Sequence, residues 1–406
     1  MTQSGRSPTL FVLTTILIDT MGFGIVLPVL PQLVMTLSHV GLAEATRIGG
    51  WLLVAYALPQ FLMAPVMGNL SDHFGRRPVL LISLIGFAVN YLLMAFAPTL
   101  AWLFIGRVIT GICGAVPSTA MAALADSSSA ENRARAFGLA GAGFGVGFIL
   151  GPAIGGLLGE LGPRAPFYAA AAIAGINFVY GSFFFPETLA PERRRCFELR
   201  RANPLGALMS VTARPGILPL AVAAVFWTFA MQVYPATWSF FTIERFGWSP
   251  GVIGASLAYT GLTLALVQGL FIGRIVEKIG EHRAAIIGVA TGIAGFIGFL
   301  LIREGWMVFA VMTVIAVQGL AFPSMNAMMS QKMSADTQGE LQGLTTSINA
   351  LTSIAGPLVL NESFAYFTDR DAPVYFPGAA FAIATLAAFV TLIILIRSRQ
   401  RPGEAL

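Results

Sequence analysis

Two ionisable residues lie deep inside long apolar segments, where their side chains could exchange a proton. Asp19 lies roughly 16 Å into the first apolar run at 1.5 Å per residue, and Arg107 lies inside the fourth. A charge at such a depth costs roughly 2.5–3.5 kcal/mol, so it faces a cavity or a partner. Burial and a nearby arginine act in opposite directions on the charge of an aspartate, which suits a proton carrier. We predict Asp19 and Arg107 as a proton-coupling pair; a permanent salt bridge between two helices is the structural alternative.

A second group of charges lies in a short turn between apolar runs, in the stretch GNLSDHFGRRPVLL at residues 68–81. Gly68 allows close helix approach, Asp72 can accept backbone hydrogen bonds or pair with arginine, and the arginines anchor a loop in the cytoplasm. Asp126, at the end of the fourth run, is the expected partner of one arginine. The alternative interpretation is that this loop only fixes the orientation of the chain in the membrane. The group consists of Gly68, Asp72, Gly75, Arg76, Arg77 and Asp126.

The fifth apolar run repeats glycine every fourth residue, which places these residues on one helix face for about 24 Å. Pro152 interrupts the backbone hydrogen bonding there and can bend the helix. We expect this face to press on a helix of the C-terminal half as a tight, slidable seam; static packing is the alternative. The motif consists of Gly143, Gly147, Gly151, Pro152, Gly155 and Gly156, and Gly159 continues the row.

Polar uncharged and aromatic residues inside the apolar runs are candidates for a substrate cavity. Each alone is more often a helix–helix hydrogen bond or part of an interfacial aromatic belt. The predicted substrate-binding residues are Tyr56, Gln60, Asn90, Gln232, Trp238, Phe241, Gln268 and Asn326.

These residues must be positioned by membrane helices. The 406 residues are 56% hydrophobic and 11% charged, against roughly 25% charged in a soluble domain. The apolar runs are continuous rather than alternating, which favours helices over a barrel. We predict an all-α polytopic membrane protein with twelve transmembrane helices, at about 8–36, 47–71, 78–97, 100–125, 134–159, 164–185, 215–241, 249–276, 283–302, 306–332, 338–366 and 375–397.

The basic residues are distributed unevenly between the two sets of loops. Eighteen of the 24 Lys and Arg residues lie in the termini and even-numbered loops, five lie in the odd-numbered loops, and Arg107 is inside a helix. Positive charge stays cytoplasmic, so both termini are expected on that side. The net charge of +5 therefore reflects topology, and no nucleic-acid partner is expected. Cys113 and Cys196 suggest neither a disulfide framework nor a metal site.

The chain contains an internal duplication. Gly68, Asp72 and Gly75 recur 205 residues later as Gly273, Glu277 and Gly280, and the pair Gly151-Pro152 recurs as Gly356-Pro357 at the same displacement. A polar, basic segment with prolines separates the copies. We predict an N-terminal six-helix bundle at 1–186, a cytoplasmic linker at 187–214 and a C-terminal six-helix bundle at 215–406, an arrangement typical of secondary transporters.

Several motifs resemble those of the major facilitator superfamily. GNLSDHFGRRPVLL resembles its signature loop, FIGRVITGICGA its fourth-helix motif, GFGVGFILGPAIGGLLG its antiporter motif and FFFPET the end of its sixth helix. LIDTMGFGIVLPVLP, LVAYALPQFLMAP and QGELQG are similar to the tetracycline efflux branch of its drug–proton antiporters. The resemblance implies two pseudosymmetric bundles with alternating access. It also implies that the signature-loop cluster closes the cytoplasmic face, and that Gln60 and Gln268 lie near substrate.

The resemblance is incomplete at three positions. The tetracycline pumps carry an acidic residue in the third helix, a histidine in the eighth and an aspartate in the ninth. Here those positions are Asn90, Leu264 and Gly292. Since those groups handle the metal–drug chelate, their replacement leaves Asp19 as the main proton site and makes a neutral or cationic amphipathic substrate a serious alternative.

The leading hypothesis is a proton-coupled antiporter that exports amphipathic small molecules, with tetracyclines as the best single candidate. The alternative is a transporter of the same superfamily for another substrate, either a metabolite exporter or an uptake symporter. A membrane enzyme is disfavoured, since nucleophile–base pairs and nucleotide-binding loops are missing from the sequence. We expect a monomer in the bacterial inner membrane, with no cofactor and the proton as coupling ion. A divalent metal would enter only as part of a metal–tetracycline chelate.

Overall fold

The structure, a computed structural model, describes residues 7–114, 116–129, 132–197, 216–334 and 337–398. Within these ranges all regular structure is helical, and twelve helices are long and apolar enough to cross a membrane. The predicted fold class is confirmed. The spans are Thr9–Val26, Leu42–Phe74, Arg76–Ala95, Leu100–Asp126, Arg135–Gly159, Ala165–Phe184, Leu218–Phe246, Pro250–Ile279, Glu281–Leu301, Gly305–Ser330, Gln338–Thr368 and Ala379–Arg397.

Several spans are built from more than one helical segment. The first begins as Ser7–Val26 and is followed by a separate helix, Leu30–Ser38. The fourth comprises Leu100–Cys113 and Val116–Asp126, and the seventh comprises Leu218–Met231 and Val233–Phe246. The eighth comprises Pro250–Leu266, a π-helical turn Val267–Phe271 and Ile272–Ile279. The tenth comprises Gly305–Ile315, a 3-10 turn Ala316–Leu320 and Ala321–Ser330.

Proline explains most of these interruptions. A proline at position i cannot donate to the carbonyl at i−4 and its ring crowds that carbonyl. Pro235 therefore ends the first half of the seventh span at Met231, and Pro323 follows the 3-10 turn that ends at Leu320. The single helix predicted at 8–36 is wrong, because the chain turns between Val26 and Leu30 with Pro28 and Pro31 in or beside the turn.

The other segments are continuous helices. The second span, Leu42–Phe74, is longer at both ends than the predicted 47–71, and the twelfth starts at Ala379 rather than 375. The remaining helices are Arg76–Ala95, Arg133–Gly159, Ala165–Phe184, Glu281–Leu301 and Gln338–Thr368, with a 3-10 turn at Pro191–Arg193.

The chain divides into two compact units. Unit 1 contains Met1–Gly41, Ala55–Pro204 and Trp248–Ala258, and unit 2 contains Leu42–Val54, Leu205–Gly247 and Tyr259–Leu406. The start of the second span thus packs with unit 2, and the start of the eighth packs with unit 1. The predicted division at 186 and 215 stays a prediction, and from residue 198 onward the predicted linker 187–214 lies outside the described residues.

Unit 2 has an aromatic core. Trp238 is fully buried and its ring centroid lies 5.1 Å from that of Phe299. Phe381 lies 4.8 Å from Phe241 and 5.2 Å from Phe299, measured between ring centroids. Such tilted and edge-on pairs are favourable beyond simple burial, and they join the seventh, ninth and twelfth spans.

Candidate functional site

Unit 1 contains a small cavity that includes both deep charges. Its volume is about 10 Å³, roughly the space that one water molecule needs. Side chains from the first four spans line it. The first span contributes residues 19, 22, 23 and 26, a spacing that places them on one helix face. The cavity is lined by Asp19, Gly22, Phe23, Val26, Tyr56, Phe87, Tyr91, Met94, Arg107 and Thr110.

The guanidinium of Arg107 is the most unusual group in this cavity. The residue is only 3% exposed, yet its Nε and Nη2 atoms have no hydrogen-bond partner among the described residues. Asp19 lines the same cavity, but within the described part of the chain no ion pair joins it to Arg107. The permanent salt bridge considered from the sequence is therefore not formed here, and both charges stay available to a third group.

Hydrogen bonds fix the neighbouring polar side chains in place. The Gln60 amide donates to the Tyr56 hydroxyl and to the Gly114 carbonyl oxygen, both at 2.9 Å, which ties the second span to the fourth. The Asn90 amide donates to the Thr110 hydroxyl at 2.6 Å, while its own Oδ1 has no partner among the described residues. Of these three predicted substrate residues, Tyr56 lines the cavity, and Gln60 and Asn90 hydrogen-bond to the lining residues Tyr56 and Thr110.

Close backbone contact holds the second and fourth spans together beside the cavity. A Cβ added at Gly111 would lie 3.1 Å from Cβ of Pro59 and 3.2 Å from the Gln60 nitrogen. Glycine is required here because a side chain would meet backbone rather than a movable side chain. The tight crossing fixes the positions of Tyr56 and Arg107, which both line the cavity.

The turn after the second span carries a dense ionic cluster within unit 1. Arg76 is 8% exposed, and its guanidinium pairs with Asp72 Oδ1 at 2.5 Å and Asp126 Oδ2 at 3.1 Å. The same guanidinium donates to the Ser71 hydroxyl at 2.6 Å. Arg77 instead donates to the Ser182 carbonyl oxygen at 2.7 Å. The structure brings the predicted aspartates together on Arg76, and the gating role of this cluster stays a prediction.

Sequence reasoning missed one member of this cluster, Glu187. Its carboxylate accepts the backbone N–H of Arg76 at 2.9 Å and of Arg77 at 3.3 Å, at the start of the third span. It also accepts the N–H groups of Thr188 and Leu189 at 2.9 and 3.0 Å. A carboxylate at a helix N-terminus satisfies unpaired donors and complements the helix dipole. Glu187 belongs to the FFFPET stretch, but it lies 110 positions after Arg77, and the sequence gives no sign that the two are in contact.

The glycine row of the fifth span packs on the first span, so the expectation that it presses on a helix of the C-terminal half is wrong for most of its length. A Cβ at Gly147 would lie 2.9 Å from the Leu17 carbonyl oxygen, and one at Gly151 would lie 2.7 Å from the Met21 carbonyl oxygen. Gly143 faces Leu13 and Gly155 faces Ile25 in the same way. The spacing identified the face correctly, but spacing does not identify the partner.

The end of the row is different. A Cβ at Gly156 would lie 2.9 Å from Cα of Gly254 and 2.5 Å from the Pro250 carbonyl oxygen, at the start of the eighth span. Just beyond the fifth span, Glu160 accepts the Gly251 N–H at 2.7 Å. Hydrogen bonds from the Ser249 side chain and the Gly251 backbone lower the pKa of Glu160. The antiporter motif therefore contacts both halves of the sequence, each at a different part of one helix.

The other predicted substrate residues belong to unit 2. Gln232 lies at the break in the seventh span and donates to the Ser353 hydroxyl at 2.9 Å. Gln268 is exposed in the π-helical turn and donates to the Gly319 carbonyl oxygen at 3.4 Å. Asn326 is half-buried, and its Oδ1 lacks a partner within the described residues. Trp238 and Phe241 lie in the aromatic core, where their rings pack on neighbouring rings.

The three positions at which the chain departs from the tetracycline pumps are apolar or neutral packing positions here. A Cβ at Gly292 would lie 2.5 Å from the Trp227 ring and 3.4 Å from Gln318 Oε1, so a larger side chain has no room. Leu264 packs against Gly319, and Asn90 hydrogen-bonds Thr110. In the ranges that the structure describes, no group of three or more His, Cys, Asp or Glu side chains is arranged to hold a metal ion.

Residues 12–357 match the profile of the Major Facilitator Superfamily, and the chain belongs to this superfamily of membrane transporters. It is a transporter rather than an enzyme. It is 40% identical to the class C tetracycline resistance protein of Escherichia coli over 93% of this chain and 95% of that one. It is also 40% identical to the class G tetracycline resistance protein of Vibrio anguillarum, over 87% of this chain and 89% of the relative.

Solved structures agree with this assignment. The crystal structure of the human organic anion transporter MFSD10 (TETRAN) is similar with a TM-score of 0.70 and 25% identity, and the match covers 97% of this chain and 100% of that one. The predicted superfamily and its tetracycline efflux branch are therefore confirmed as the chain's relatives.

Proposed function

We propose that this protein is a proton-coupled efflux antiporter for amphipathic small molecules, with tetracycline-type compounds as the best single candidate. The observation that carries the proposal is the 40% identity to tetracycline resistance proteins along nearly the whole chain. The cavity supports it, because its single acid shares aromatic walls with an arginine whose Nε and Nη2 atoms have no hydrogen-bond partner among the described residues. Five of the ten lining residues have a polar or charged side chain and four have an aromatic ring, a mixture that suits an amphipathic cargo.

In this mechanism Asp19 is the proton carrier. It takes up a proton on the outer side, and the substrate and the proton occupy the cavity at different stages of the cycle. Arg107 tunes the charge of Asp19. Alternating access between two six-helix bundles exposes the cavity to one side of the membrane at a time.

The membrane arrangement follows from the charges. We infer that both termini face the cytoplasm of a bacterial cell and that the spans cross its inner membrane, because 18 of the 24 Lys and Arg residues lie on one side. The turn with the Arg76 cluster is then cytoplasmic. The protein acts as a monomer with the proton as coupling ion and without a bound cofactor.

Transport into inverted membrane vesicles tests the proposal. Vesicles that contain the protein should accumulate tetracycline when an inward-acidic pH gradient is imposed, and nigericin should abolish the accumulation. Vesicles with the exposed-acid variant Asp371→Asn serve as the matched control and should accumulate as the wild type does, since Asp371 lies in an exposed loop. Accumulation that is the same with and without the pH gradient would contradict proton coupling, and no accumulation of any tetracycline would contradict the efflux function.

A further inference from the structure

A short basic segment of unit 1 follows the sixth span. It reads PERRRCF at residues 191–197, begins with the 3-10 turn Pro191–Arg193, and all seven of its residues are exposed. Within the part of the chain that the structure describes, Arg193, Arg194 and Arg195 form no ion pair. Since a guanidinium carries five N–H donors and no acceptor, three consecutive exposed arginines present a surface that is complementary to an anion.

Contacts with the turn after the second span hold this segment in place. The Arg195 backbone N–H donates to the Asp72 carbonyl oxygen at 3.1 Å, and the His73 Nδ1 atom lies 3.0 Å from the Arg195 carbonyl oxygen. A Cβ added at Gly75 would lie 3.2 Å from Nη2 of Arg194. The three arginines are therefore presented from a fixed backbone, which lowers the conformational entropy that is lost when a ligand binds.

The same turn lies beside the end of the sixth span. Arg77 donates to the Ser182 carbonyl oxygen at 2.7 Å, two residues before that span ends. One face of the span carries apolar side chains that are more than half exposed, at the i, i+3, i+7 spacing of a helix face: Ile176, Val179 and Phe183. An exposed apolar stripe on a transmembrane helix is suited to contact lipid. The turn and the basic segment attached to it therefore lie where the bilayer surface begins.

Most acidic groups around the segment are already engaged. Asp72 and Asp126 both pair with Arg76, and the Glu187 carboxylate accepts four backbone N–H groups. Residues 191–197 contain one acid, Glu192, against three arginines, which leaves a formal charge of +2. The positive charge of this segment is therefore not cancelled by its surroundings.

We propose that Arg193, Arg194 and Arg195 form a binding surface for the phosphate of an anionic phospholipid headgroup. Exposed guanidiniums supply the forked donors that phosphate oxygens accept, and basic clusters next to a transmembrane helix attract anionic lipids. Phe197 closes the segment with a ring that is 39% exposed, and aromatic rings are common at the level of the headgroups. The inference concerns the bilayer as a partner and does not depend on the efflux function proposed above.

Arginines at the end of a span also orient a chain in the membrane, and that alternative makes a different prediction. Orientation depends on how many Lys and Arg residues each loop carries, and it needs no lasting contact with one class of lipid. A binding surface distinguishes phosphatidylglycerol from phosphatidylcholine in the folded protein, because both have the phosphate but only phosphatidylcholine adds a compensating cation.

Lipid binding to the purified full chain in a non-ionic detergent, counted by native mass spectrometry, tests the proposal. Wild-type protein should bind phosphatidylglycerol about tenfold or more tightly than phosphatidylcholine. Arg193→Gln/Arg195→Gln should weaken phosphatidylglycerol binding about tenfold or more, from roughly fivefold for each arginine. Arg193→Lys/Arg195→Lys should lose less than about threefold, because lysine keeps the charge and also binds phosphate.

Arg303→Gln/Arg370→Gln is the matched control. Both arginines are exposed and follow the end of a span, Arg303 after the ninth and Arg370 after the eleventh, but each is an isolated basic residue in the sequence. The control removes the same two charges and should leave the affinity for phosphatidylglycerol unchanged within about twofold. An excess of inorganic phosphate should not displace the lipid, because a free anion gains no contact with the apolar surface.

Three results would overturn the inference. One is equal affinity of the wild type for the two lipids, and another is an equal loss in Arg193→Gln/Arg195→Gln and in the control. The third is displacement of phosphatidylglycerol by inorganic phosphate, which would make this a site for a free anion rather than for a lipid. None of these results bears on drug accumulation by vesicles, so the efflux function is tested separately.

Discussion

The two copies of the duplicated turn share a backbone but differ in chemistry. Gly75 and Gly280 both adopt positive φ, at 104° and 78°, with nearly equal ψ values of 162° and 159°. In the first copy Arg76 is buried between two aspartates. In the second copy the equivalent position is Glu281, which accepts a hydrogen bond from the Gln331 side chain at 3.0 Å, and within the described residues this turn forms no ion pair.

Both copies therefore form the same backbone turn, but among the described residues only the first copy forms a buried ionic cluster. The backbone turn needs glycine in both copies, because an L side chain at positive φ is strained. The ionic network needs Asp126 and Glu187 as well, and these come from other parts of unit 1. The deep charges Asp19 and Arg107 also lie in unit 1, whereas the described ion pairs of unit 2 join Arg47 to Glu44 and Glu362.

The largest expected effect comes from the paired glycines Gly151 and Gly356. A Cβ at Gly151 would lie 2.7 Å from the Met21 carbonyl oxygen, and one at Gly356 would lie 2.5 Å from Cβ of Gln232. Both neighbouring atoms are fixed by the backbone and cannot move away, so Gly151→Leu and Gly356→Leu should each abolish transport. Vesicle transport normalised to protein amount is the measurement. Near-normal transport by Gly151→Leu would show that the seam on the first span is unimportant.

Loss of the buried arginine should come next. Arg76→Ala leaves Asp72 and Asp126 without their shared partner, and we expect transport to fall about tenfold or more with a smaller change in abundance. Asp72→Asn should reduce transport in the same direction. Glu281→Ala, at the equivalent position of the second copy, should change transport less than about twofold. Equal losses from Arg76→Ala and Glu281→Ala would contradict a special role for the ionic cluster of the first copy.

The cap from Glu187 should have a moderate effect. Glu187→Gln keeps the shape of the side chain but removes the charge that four N–H groups share, so unfolding should become easier by about 1 kcal/mol. Thermal unfolding of the detergent-solubilised protein measures this. Glu192→Gln, in the exposed segment that follows, is the control and should leave the unfolding temperature unchanged. An unchanged unfolding temperature for Glu187→Gln would contradict a stabilising cap.

The second glycine turn isolates the cost of backbone strain. A Cβ at Gly280 would meet no atom within 4 Å, so Gly280→Ala should cost only the strain of a φ and ψ that essentially only glycine adopts, about 1–3 kcal/mol. At Gly75 the added Cβ would also lie 2.7 Å from the Glu187 carboxyl carbon, so Gly75→Ala should cost more. Unfolding temperatures of the two variants make the comparison, and an equal cost would show that Glu187 moves away freely.

The sequence predicted the elements better than their partners. Continuous apolar runs and the uneven distribution of Lys and Arg between the loops were enough to find twelve spans. A glycine at every fourth residue was enough to find the packed face of the fifth span. Periodicity reports which residues share a face but not what that face touches, so the first span was missed as the partner of Gly147 and Gly151. The break after Val26 could have been read from Pro28 and Pro31, since two prolines so close together disfavour a continuous helix.

The site was predictable where a residue type is costly in its surroundings. Asp19 and Arg107 were identified because a charged side chain in an apolar run is costly and therefore indicates a function. The structure places both residues on one cavity. Trp238 and Phe241 were chosen as cavity aromatics because an aromatic ring suits either a core or a ligand, and the structure packs them in the core of unit 2. Glu187 was missed because a glutamate at the end of a span is common. The sequence does not show that its carboxylate accepts four backbone N–H groups.

The role of Asp19 is the central claim, and transport by Asp19→Asn vesicles tests it most directly. Asparagine mimics the protonated acid in size and charge but cannot release a proton. We expect Asp19→Asn vesicles to exchange labelled tetracycline for unlabelled tetracycline yet build no gradient from an imposed pH difference, with partial activity retained by Asp19→Glu. A tetracycline gradient built by Asp19→Asn vesicles as large as that of the wild type would place the proton site elsewhere and contradict the account.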